Sequence, residues 1–307
     1  MPDILVTGGA GFIGSHLVDA LLGAGHRVTI IDDFSSGKRA NLAGAGAARL
    51  VEGDIADLAR LDLGRFDMIV HLAALISGHD SLNQPDRYQS VNVGGTQRVI
   101  DFAAATATPR IVFASSSTVY GNQHGAALSE ATPPRPLSVY ALTKLAGEHL
   151  LRLYGQLHGF SHCSLRLFNV YGPRQATDHP YANVTCKFSH AAAHGLPVNL
   201  YGDGEQSRDF VYVADVVRAL VAVIEASPAP LYNIGTGVAA SINRLLAELA
   251  RITGAPLVTN ACPPWPNDIS SIRADAAAFE RDFGFGAATP LAEGLARTVA
   301  FFADGAK

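Results

Sequence analysis

Tyr140 and Lys144 are four residues apart in the segment Tyr-Ala-Leu-Thr-Lys, within a predicted helix near Val139–Tyr154. Residues at this spacing share one face of a helix, so the Lys144 ammonium can lie near the Tyr140 phenol. A phenol has a pKa of about 10, and a nearby cation lowers it by favouring the phenolate. Such a tyrosine could take a proton from a sugar hydroxyl while hydride leaves for a nicotinamide. The alternative is an exposed pair without a chemical role, but lysine is scarce here, at 4 of 307 residues.

A glycine-rich turn near the amino terminus predicts a dinucleotide site. Gly8, Gly11 and Gly14 stand between a predicted strand, Ile4–Val6, and a predicted helix, Ile13–Leu22. Glycines at these positions permit a tight turn, close approach of a pyrophosphate and close packing of helix on strand. The helix amino terminus then offers N–H donors and the positive end of its dipole to the phosphates. The alternative is that the glycines only form a turn.

Acidic residues follow the second strand and predict which dinucleotide binds. Asp32, followed by Asp33, ends that strand. A carboxylate there can bind the adenine-ribose hydroxyls and would repel a 2′-phosphate, which favours NAD over NADP. Ser36 and Gly37 follow in a loop that could close over the adenosine. The alternative for Asp32 is a solvated loop acid.

Two further segments follow strand ends. Asp54 and Ile55 come after the third strand and could flank the adenine, although an aspartate there is often only a helix cap. Residues 114–121, Ala-Ser-Ser-Ser-Thr-Val-Tyr-Gly, lie at the end of the fifth strand. Reactive groups in open α/β sheets gather at the carboxyl ends of strands, so this segment is a candidate for chemistry.

Composition excludes several functional classes. The chain has 48% hydrophobic and 16% charged residues, which suits a large core. Its net charge of −4 gives no driving force for binding nucleic acid. Cys163, Cys186 and Cys262 have no spacing typical of a disulfide or metal site, so we expect reduced thiols, no metal and a cytoplasmic location. The first residues lack the charged n-region and cleavage site of a signal peptide, and no apolar run reaches transmembrane length, so we expect no membrane association.

Strand and helix patterns alternate through the first half of the chain. This alternation predicts an α/β fold, a Rossmann-type doubly wound parallel sheet covered by helices on both faces. After Gly172-Pro173 the pattern changes to loops and shorter helices. We therefore predict an NAD-binding domain over 1–170 and a smaller substrate-binding lobe over 171–307, some segments of which return to the main sheet.

Ten motifs together resemble the extended short-chain dehydrogenase/reductase superfamily, specifically its NAD-dependent nucleotide-sugar epimerase/dehydratase family. They are TGGAGFIGSH at 7–16, DD at 32–33, GDI at 53–55, HLAA at 71–74, NVGGT at 92–96, SSSTVYG at 115–121, YALTK at 140–144, RLFNVYGPR at 166–174, GDGEQSRDFVYV at 202–213 and NIGTG at 233–237. The resemblance covers nearly the whole chain. It implies the same Rossmann-type fold, NAD as cofactor and a nucleotide-diphosphate sugar as substrate.

The resemblance also implies roles for particular residues. Tyr140 is the expected catalytic base and acid, Lys144 its partner on the nicotinamide ribose, and Ser116 the hydrogen-bonding partner of the reacting 4-hydroxyl. Asn92 backs the cofactor side of the site. Motifs and resemblance together predict these cofactor contacts: Gly8, Gly11, Phe12, Ile13, Gly14, Asp32, Asp33, Ser36, Gly37, Asp54, Ile55, Leu72, Ala73, Ala74, Asn92, Ser115, Tyr140 and Lys144.

Substrate contacts are expected in both parts of the chain. Asn169 and Arg208 match residues that contact the diphosphate, and Asn183 matches one near the nucleotide. A structural ion pair with Asp209 or Asp215 is the alternative for Arg208. The full predicted set is Ser116, Ser117, Thr118, Tyr140, Asn169, Asn183, Arg208, Trp265, Asp268 and Arg273.

Thr118 guides the choice of reaction. Dehydratases and decarboxylases of the family usually carry an acid two residues after the catalytic serine or threonine, and Thr118 stands there. An epimerase needs no second acid. We therefore predict a 4-epimerase acting through a 4-keto intermediate, with UDP-glucose and UDP-galactose as the default pair. The alternatives are a dehydratase or decarboxylase, a 4-dehydrogenase, and a non-catalytic NAD-binding sensor or scaffold.

One departure from the family pattern concerns the substrate. The family often has an arginine where this chain has Trp265, shortly before Asp268. Tryptophan cannot replace that charge but could stack on a base or sugar, and Arg273 could supply the charge instead. Ile272 lies near where such epimerases admit an N-acetyl group, and favours plain hexoses. The resemblance also predicts a homodimer formed through the helices that follow Tyr88 and Val139.

Overall fold

The computed structural model describes residues 1–123, 125–177, 183–226, 228–264 and 269–305. The strands are β1 (Asp3–Thr7), β2 (Arg27–Asp32), β3 (Arg49–Glu52), β4 (Met68–His71), β5 (Arg110–Ser116), β6 (Ala127–Leu128), β7 (Ser161–Leu167), β8 (Asn169–Tyr171), β9 (Val198–Tyr201), β10 (Ser207–Tyr212), β11 (Leu231–Ile234), β12 (Ala239–Ser241), β13 (Thr259–Cys262) and β14 (Ser271–Ala274). The α-helices are α1 (Phe12–Gly23), α2 (Asp80–Asn83), α3 (Pro85–Tyr88), α4 (Gly95–Ala105), α5 (Val139–His158), α6 (Val184–His194), α7 (Val213–Glu225), α8 (Ile242–Thr253), α9 (Ala277–Phe283) and α10 (Leu291–Ala303).

A seven-stranded sheet forms the main body, in the order β11-β7-β5-β4-β1-β2-β3. Strands β1, β2, β3, β4, β5 and β7 pair in parallel. Every residue of β4 is buried, as expected for strands that are covered on both faces. The predicted α/β class with a Rossmann-type parallel sheet is confirmed.

Contacts divide the chain into two compact units. The first unit comprises 1–119, 136–167 and 217–232, and the second comprises 120–135, 168–216 and 233–307. The chain first crosses between units after Val119, and later after Leu167, near the predicted boundary at 170. Segment 217–232 belongs to the first unit although it lies beyond that boundary in sequence.

The second unit contains two smaller sheets. One has the order β12-β10-β14-β6, with β8 also paired to β10, and the other pairs β13 with β9. Strand β10 is parallel to β8 and β14 and antiparallel to β12. Within the described ranges, no helix has the length and apolarity needed to cross a membrane.

The helical pattern over Tyr88–Thr106 is not one regular helix. Instead, α3 ends at Tyr88, a π-helical turn spans Gln89–Gly94, and α4 begins at Gly95. A single π-helical turn of six residues is too short to be recognised from the apolar pattern of the whole segment. Such turns often occur at functional sites, and this one contains Asn92.

Candidate active site

The glycine-rich turn has the shape that a pyrophosphate requires. Gly8 has a φ of +70°, and a Cβ at this residue would lie 2.8 Å from the backbone nitrogen of Ala73. A Cβ at Gly14 would lie 2.2 Å from the Gly8 carbonyl oxygen, so α1 can approach the turn only with glycine there. Gly11 is the N-cap of α1, and among the described residues no side chain caps that helix. The backbone N–H groups of Phe12 and Ile13 are therefore left for a ligand.

Asp32 is buried at the end of β2 and is bound by the turn. Its Oδ2 accepts a hydrogen bond from the Ala10 N–H at 2.8 Å, and its Oδ1 accepts one from the Phe34 N–H at 2.9 Å. Burial raises the pKa of Asp32, and these two N–H donors oppose that rise. Each carboxylate oxygen can accept a further bond, so the group is oriented and can still bind ribose hydroxyls.

The loop after Asp33 folds back onto the same turn. A Cβ at Gly37 would lie 2.8 Å from Asp32 Oδ1, which places the Ser36–Gly37 segment beside the carboxylate. The Lys38 N–H and the Asn41 side chain both donate to the Ala10 carbonyl, at 3.1 and 2.9 Å. The predicted adenosine loop is therefore tied to the glycine-rich turn by its backbone.

Asp54 and Ile55 both have structural partners. Asp54 is an N-cap whose side chain accepts a hydrogen bond from the Ala56 N–H at 2.9 Å. Ile55 is 6% exposed and belongs to the hydrophobic core. Capping was the alternative interpretation of Asp54, and the adenine-flanking role of this pair stays a prediction.

Tyr140, Ser116 and Thr118 form the centre of the site. The Thr118 hydroxyl donates to Ser116 Oγ at 2.9 Å. Burial raises the pKa of the Tyr140 phenol to about 12, against a lowering contribution from its hydrogen bond with Ser116. The pKa of Tyr140 therefore lies above its ordinary value in the polypeptide, not below it as expected from the Lys144 spacing, because the buried phenol loses solvation. Since Ser116 accepts the Thr118 proton, its own proton is directed to the phenol.

Lys144 lies one helical turn after Tyr140 and is 4% exposed. Its Nζ donates to the Ala114 carbonyl at 2.8 Å and lies 4.9 Å from the centre of the Phe113 ring. Burial lowers the pKa of Lys144 to about 7. The lysine is therefore held at the end of β5. Because its pKa is near 7, small changes in its surroundings change its protonation state at neutral pH.

The segment after β4 runs beside the glycine-rich turn. The Leu72 and Ala73 N–H groups both donate to Thr7 Oγ1, at 3.2 Å each, and Ala74 follows directly. Asn92 is buried and holds Leu75 through two hydrogen bonds, of 2.8 and 2.9 Å. These contacts give the predicted cofactor wall a defined backbone position.

A buried ion pair near Ser115 escaped the sequence analysis. Arg166 on β7 donates to both carboxylate oxygens of Glu148, at 2.9 and 2.7 Å, and the Ser115 hydroxyl donates to the same carboxylate. Ser115 therefore points toward α5, and only its backbone remains for the predicted cofactor contact. Glu148 lies one turn after Lys144, so the spacing of the Tyr/Lys pair, continued by one turn, could have indicated it.

Three candidate substrate residues of the second unit, Asn169, Arg208 and Arg273, lie on neighbouring strands. Arg208 on β10 is paired with Ile272 on β14, and Phe210 with Asn169 on β8. Paired residues and residues two apart share a face, so Asn169 and Arg208 lie on one face of this sheet. Arg273 lies on the opposite face, which speaks against it as the source of the missing charge.

Hydrogen bonds show how several of these side chains are held. Arg208 Nη1 donates to the carbonyls of Ser207 and Ile269, at 2.9 and 2.6 Å. Asp209 accepts four hydrogen bonds, from Thr236, Gly237 and Ala274.

Asn183 and the last loop complete the predicted substrate set. Asn183 caps α6 by accepting a hydrogen bond from the Thr185 N–H at 3.0 Å, and its amide donates to the Val170 carbonyl at 3.3 Å. Ser117 is buried at the start of a 3-10 helix, Ser117–Tyr120. Trp265 and Asp268 lie outside the described residues.

Comparison with known proteins agrees with this geometry. The model of the NAD dependent epimerase/dehydratase family matches residues 4–235. The chain belongs to this family. It is 41% identical over 307 residues to UDP-glucose 4-epimerase of Mycolicibacterium smegmatis, covering 97% of each chain.

Solved structures extend the comparison. UDP-glucose 4-epimerase of Thermotoga maritima, solved with UDP-glucose, has a TM-score of 0.94 and 34% identity, covering 99% of this chain and 100% of that chain. UDP-N-acetylglucosamine 4-epimerase of Methanobrevibacter ruminantium, solved with UDP-N-acetylmuramic acid, has a TM-score of 0.93 and 35% identity, covering 99% of both chains. Enzymes named for different sugars thus share this fold.

The family is NAD-dependent, and the first unit fits that cofactor. A side chain at Gly8 would collide with the Leu72–Ala73 backbone, and one at Gly14 would collide with the backbone of the glycine-rich turn. The uncapped start of α1 suits a pyrophosphate, and the oriented Asp32 carboxylate suits ribose hydroxyls. Within the described part of the chain, no three acidic, histidine or cysteine side chains are grouped to bind a metal ion.

Proposed function

We propose that the protein is a nucleotide-sugar 4-epimerase, with UDP-glucose and UDP-galactose as the substrate pair. The hydrogen bond from Thr118 to Ser116 carries this proposal. Where dehydratases and decarboxylases usually carry an acid, this chain has a hydroxyl whose proton is already committed to Ser116. Thr118 thus serves to orient Ser116 and offers no carboxyl group for proton transfer at C5 or C6.

Tyr140 and Ser116 perform the proton transfer in this proposal. Ser116 accepts from Thr118 and donates either to the phenol or to the substrate 4-oxygen, which aligns that oxygen with Tyr140. Tyr140 takes the hydroxyl proton during oxidation at C4 and returns it during reduction. NAD, when bound, supplies the redox chemistry by accepting the C4 hydride and giving it back on the other face of the sugar.

Lys144 must offset the high pKa of Tyr140. Burial raises the pKa of the phenol to about 12, so the phenolate forms only where positive charge compensates for lost solvation. We propose that Lys144 binds the nicotinamide ribose in its charged form and supplies that compensation. Its side chain is already fixed by the Ala114 carbonyl, so this role requires little reorganisation.

The second unit supplies the proposed contacts to the nucleotide diphosphate. Arg208 suits this role because one nitrogen of its guanidinium is anchored by two carbonyls while the planar fork can bind phosphate oxygens. Asn169 lies on the same face of the sheet. The similarity to the M. smegmatis and T. maritima enzymes favours a UDP-hexose.

Product analysis tests the proposal. The purified protein is incubated separately with UDP-glucose, UDP-galactose, UDP-N-acetylglucosamine and UDP-glucuronate, and products are identified by NMR and mass spectrometry. We expect UDP-glucose and UDP-galactose to interconvert without change of mass and without accumulation of NADH. Faster conversion of another sugar would overturn the substrate assignment.

The other functional classes give distinct outcomes in the same assay. Loss of water or carbon dioxide identifies a dehydratase or decarboxylase, and accumulation of NADH at 340 nm identifies a net dehydrogenase. NAD binding with no conversion of any sugar identifies a sensor or scaffold. Each of these results contradicts the 4-epimerase.

We also propose a homodimer located in the cytoplasm. Leu142, Leu153 and Leu157 on α5 are 51–65% exposed, an apolar surface suited to a second copy. The buried thiols of Cys163 and Cys186 form no disulfide bond, which suits a reducing compartment. Light scattering coupled to gel filtration tests the dimer, and Leu153→Glu should shift a dimer toward the monomer.

A further inference from the structure

His71, at the end of β4, is a buried titratable residue that the proposed chemistry does not use. Its side chain is 1% exposed and contacts two threonines from different elements. Its Nδ1 lies 2.8 Å from Thr7 Oγ1 on β1, and its Nε2 lies 3.1 Å from Thr96 Oγ1 on α4. Histidine roles depend on which nitrogen holds the proton, and here the neighbours decide that.

Counting donors and acceptors fixes the direction of these bonds. Thr7 Oγ1 already accepts from the Leu72 and Ala73 N–H groups, so its single proton goes to His71 Nδ1. The imidazole proton must then be on Nε2, which donates to Thr96 Oγ1. The Thr96 hydroxyl in turn donates to the backbone carbonyl of Asn92 at 2.6 Å. A doubly protonated His71 would leave the Thr7 proton without an acceptor.

The same chain continues from Asn92 to the catalytic helix. The Asn92 amide donates to Thr143 Oγ1 at 3.0 Å, and Thr143 donates to the Tyr140 carbonyl at 2.8 Å. The Tyr140 N–H is held separately by Ser81 Oγ at 3.0 Å. Both backbone groups of the tyrosine are therefore fixed, one of them through this chain.

We propose that His71, as the neutral Nε2–H tautomer, is a positioning residue that couples the cofactor wall to Tyr140. The coupling runs through Thr7, Thr96, Asn92 and Thr143 as two runs of hydrogen bonds joined by the Asn92 residue. The first run ends at the Asn92 backbone carbonyl, and the second begins at its side-chain amide. At one end the coupling holds the Leu72–Ala73 backbone against Gly8, and at the other it holds the Tyr140 carbonyl. This proposal rests on the proposed function only in assuming that Tyr140 transfers the proton of the substrate hydroxyl.

Burial favours the same assignment. Desolvation, with a further contribution from the Lys144 charge, lowers the pKa of His71 to about 3. The ring therefore stays neutral throughout the physiological range and acts as a fixed link. Because each hydroxyl in the chain uses its single proton once, replacing any one of them interrupts the coupling between the two ends.

The tautomer can be tested without any substrate. Long-range ¹H–¹⁵N NMR of protein with labelled histidines distinguishes protonated from unprotonated ring nitrogens, and His71→Gln identifies the signals of His71. We expect protonated Nε2 and unprotonated Nδ1. The opposite tautomer, or an imidazolium, would overturn the direction of the chain.

The coupling is tested from the far end of the chain with Thr143→Val, which keeps the side-chain shape. We expect amide hydrogen exchange to accelerate about tenfold, as for one lost hydrogen bond, in peptides covering 140–144 and also in those covering 72–76. Thr29→Val is the matched control, because Thr29 is a buried threonine on β2 that takes no part in this hydrogen-bond chain. Faster exchange confined to 140–144, or the same spread in the control, contradicts the coupling.

Kinetics separates positioning from general destabilisation. Thr7→Val and Thr143→Val should each lower kcat about three- to tenfold with KM nearly unchanged, and their effects should be non-additive. Thr96→Ser, which keeps the hydroxyl, should restore most of the rate lost in Thr96→Val. Additive effects would contradict a single chain. If the parent converts no sugar, the proposed function fails, while the NMR and exchange results still judge the chain.

Discussion

The two units of the chain hold their candidate residues differently. In the first unit, backbone groups orient the Asp32 carboxylate and the Lys144 ammonium, and both groups can form further hydrogen bonds. The backbone of Tyr140 is held by the hydroxyls of Ser81 and Thr143, so its phenol takes no part in fixing the helix. In the second unit, Asn183 uses its amide oxygen to cap a helix and its amide nitrogen to bind a carbonyl. Arg208 is anchored there by two carbonyls.

This difference suggests where catalysis and specificity reside. A site built on rigid strands and helix termini keeps one geometry for one chemistry, and the first unit is built in that way. Residues that also support loops can change with those loops, as expected where related enzymes accept different sugars. We therefore expect substitutions in the first unit to reduce turnover or the selectivity for NAD over NADP. Substitutions in the second unit should reduce the affinity for the substrate.

Tyr140→Phe is the strongest test of this contrast. Loss of the phenolic hydroxyl should lower kcat by about 10³-fold or more, because the phenol is the group proposed to transfer the O4 proton. NAD should stay bound, since the ring volume is kept. Tyr154→Phe, on the same helix, is the control, and steady-state kinetics with quantified bound NAD provides the measurement. A parental rate in Tyr140→Phe would show that the base is elsewhere.

Asp32→Asn should have the next largest effect, and on the cofactor only. Ala10 and Phe34 donate to different oxygens of Asp32, and asparagine replaces one of these acceptors by an NH₂ group. The repulsion of a 2′-phosphate is also lost. The preference for NAD over NADP should fall about 10- to 100-fold, the range for hydrogen bonds to a charged group. Glu52→Gln, at the end of the neighbouring strand, serves as control in titrations with both cofactors. An unchanged preference would remove Asp32 from the cofactor site.

Arg208→Gln should affect substrate binding more than turnover. Loss of the guanidinium should raise KM for the nucleotide sugar about tenfold and leave kcat within about threefold. Arg244→Gln, an exposed arginine of α8, is the control for loss of charge. A comparable rise in KM for Arg273→Gln would show that the opposite face of the sheet also meets the substrate.

The pH dependence of stability should give the smallest effect and should also separate the two units. The pKa of His71 is lowered from 6.5 to about 3, so below pH 6.5 only the unfolded chain gains this proton. The free energy of unfolding should therefore fall as pH is lowered, by at most about 1.4 kcal/mol per pH unit relative to His71→Gln. His190→Gln in the second unit, where the ring is only partly buried, should change the slope much less.

Urea unfolding of the three proteins between about pH 7.5 and about pH 5 measures these slopes. Only the pH dependence is compared, because His71→Gln also removes hydrogen bonds. A parent and His71→Gln with equal slopes would mean that His71 is protonated in the native state, against the neutral tautomer assigned above.

Short-range sequence patterns were sufficient to predict much of the first unit. The glycine-rich turn, the acid after β2 and the Tyr140/Lys144 spacing each depend on neighbours within a few residues, so the sequence shows them directly. The same patterns did not predict the π-helical turn over Gln89–Gly94, whose Asn92 side chain binds Leu75 from another segment. Nor did they predict the raised pKa of Tyr140, which depends on burial.

The sequence by itself determined the fold class, the cofactor turn and the pair of residues proposed for proton transfer, because short-range spacing and hydrophobic period encode them. Only the tertiary structure decided which way side chains face and what they bind. Strand register places Arg273 and Arg208 on different faces of the sheet. Thr7, His71, Thr96 and Thr143 are linked by hydrogen bonds through Asn92 although they are far apart in sequence. Hydrogen-bond partners between distant segments follow from packing, and packing is a property of the whole folded chain.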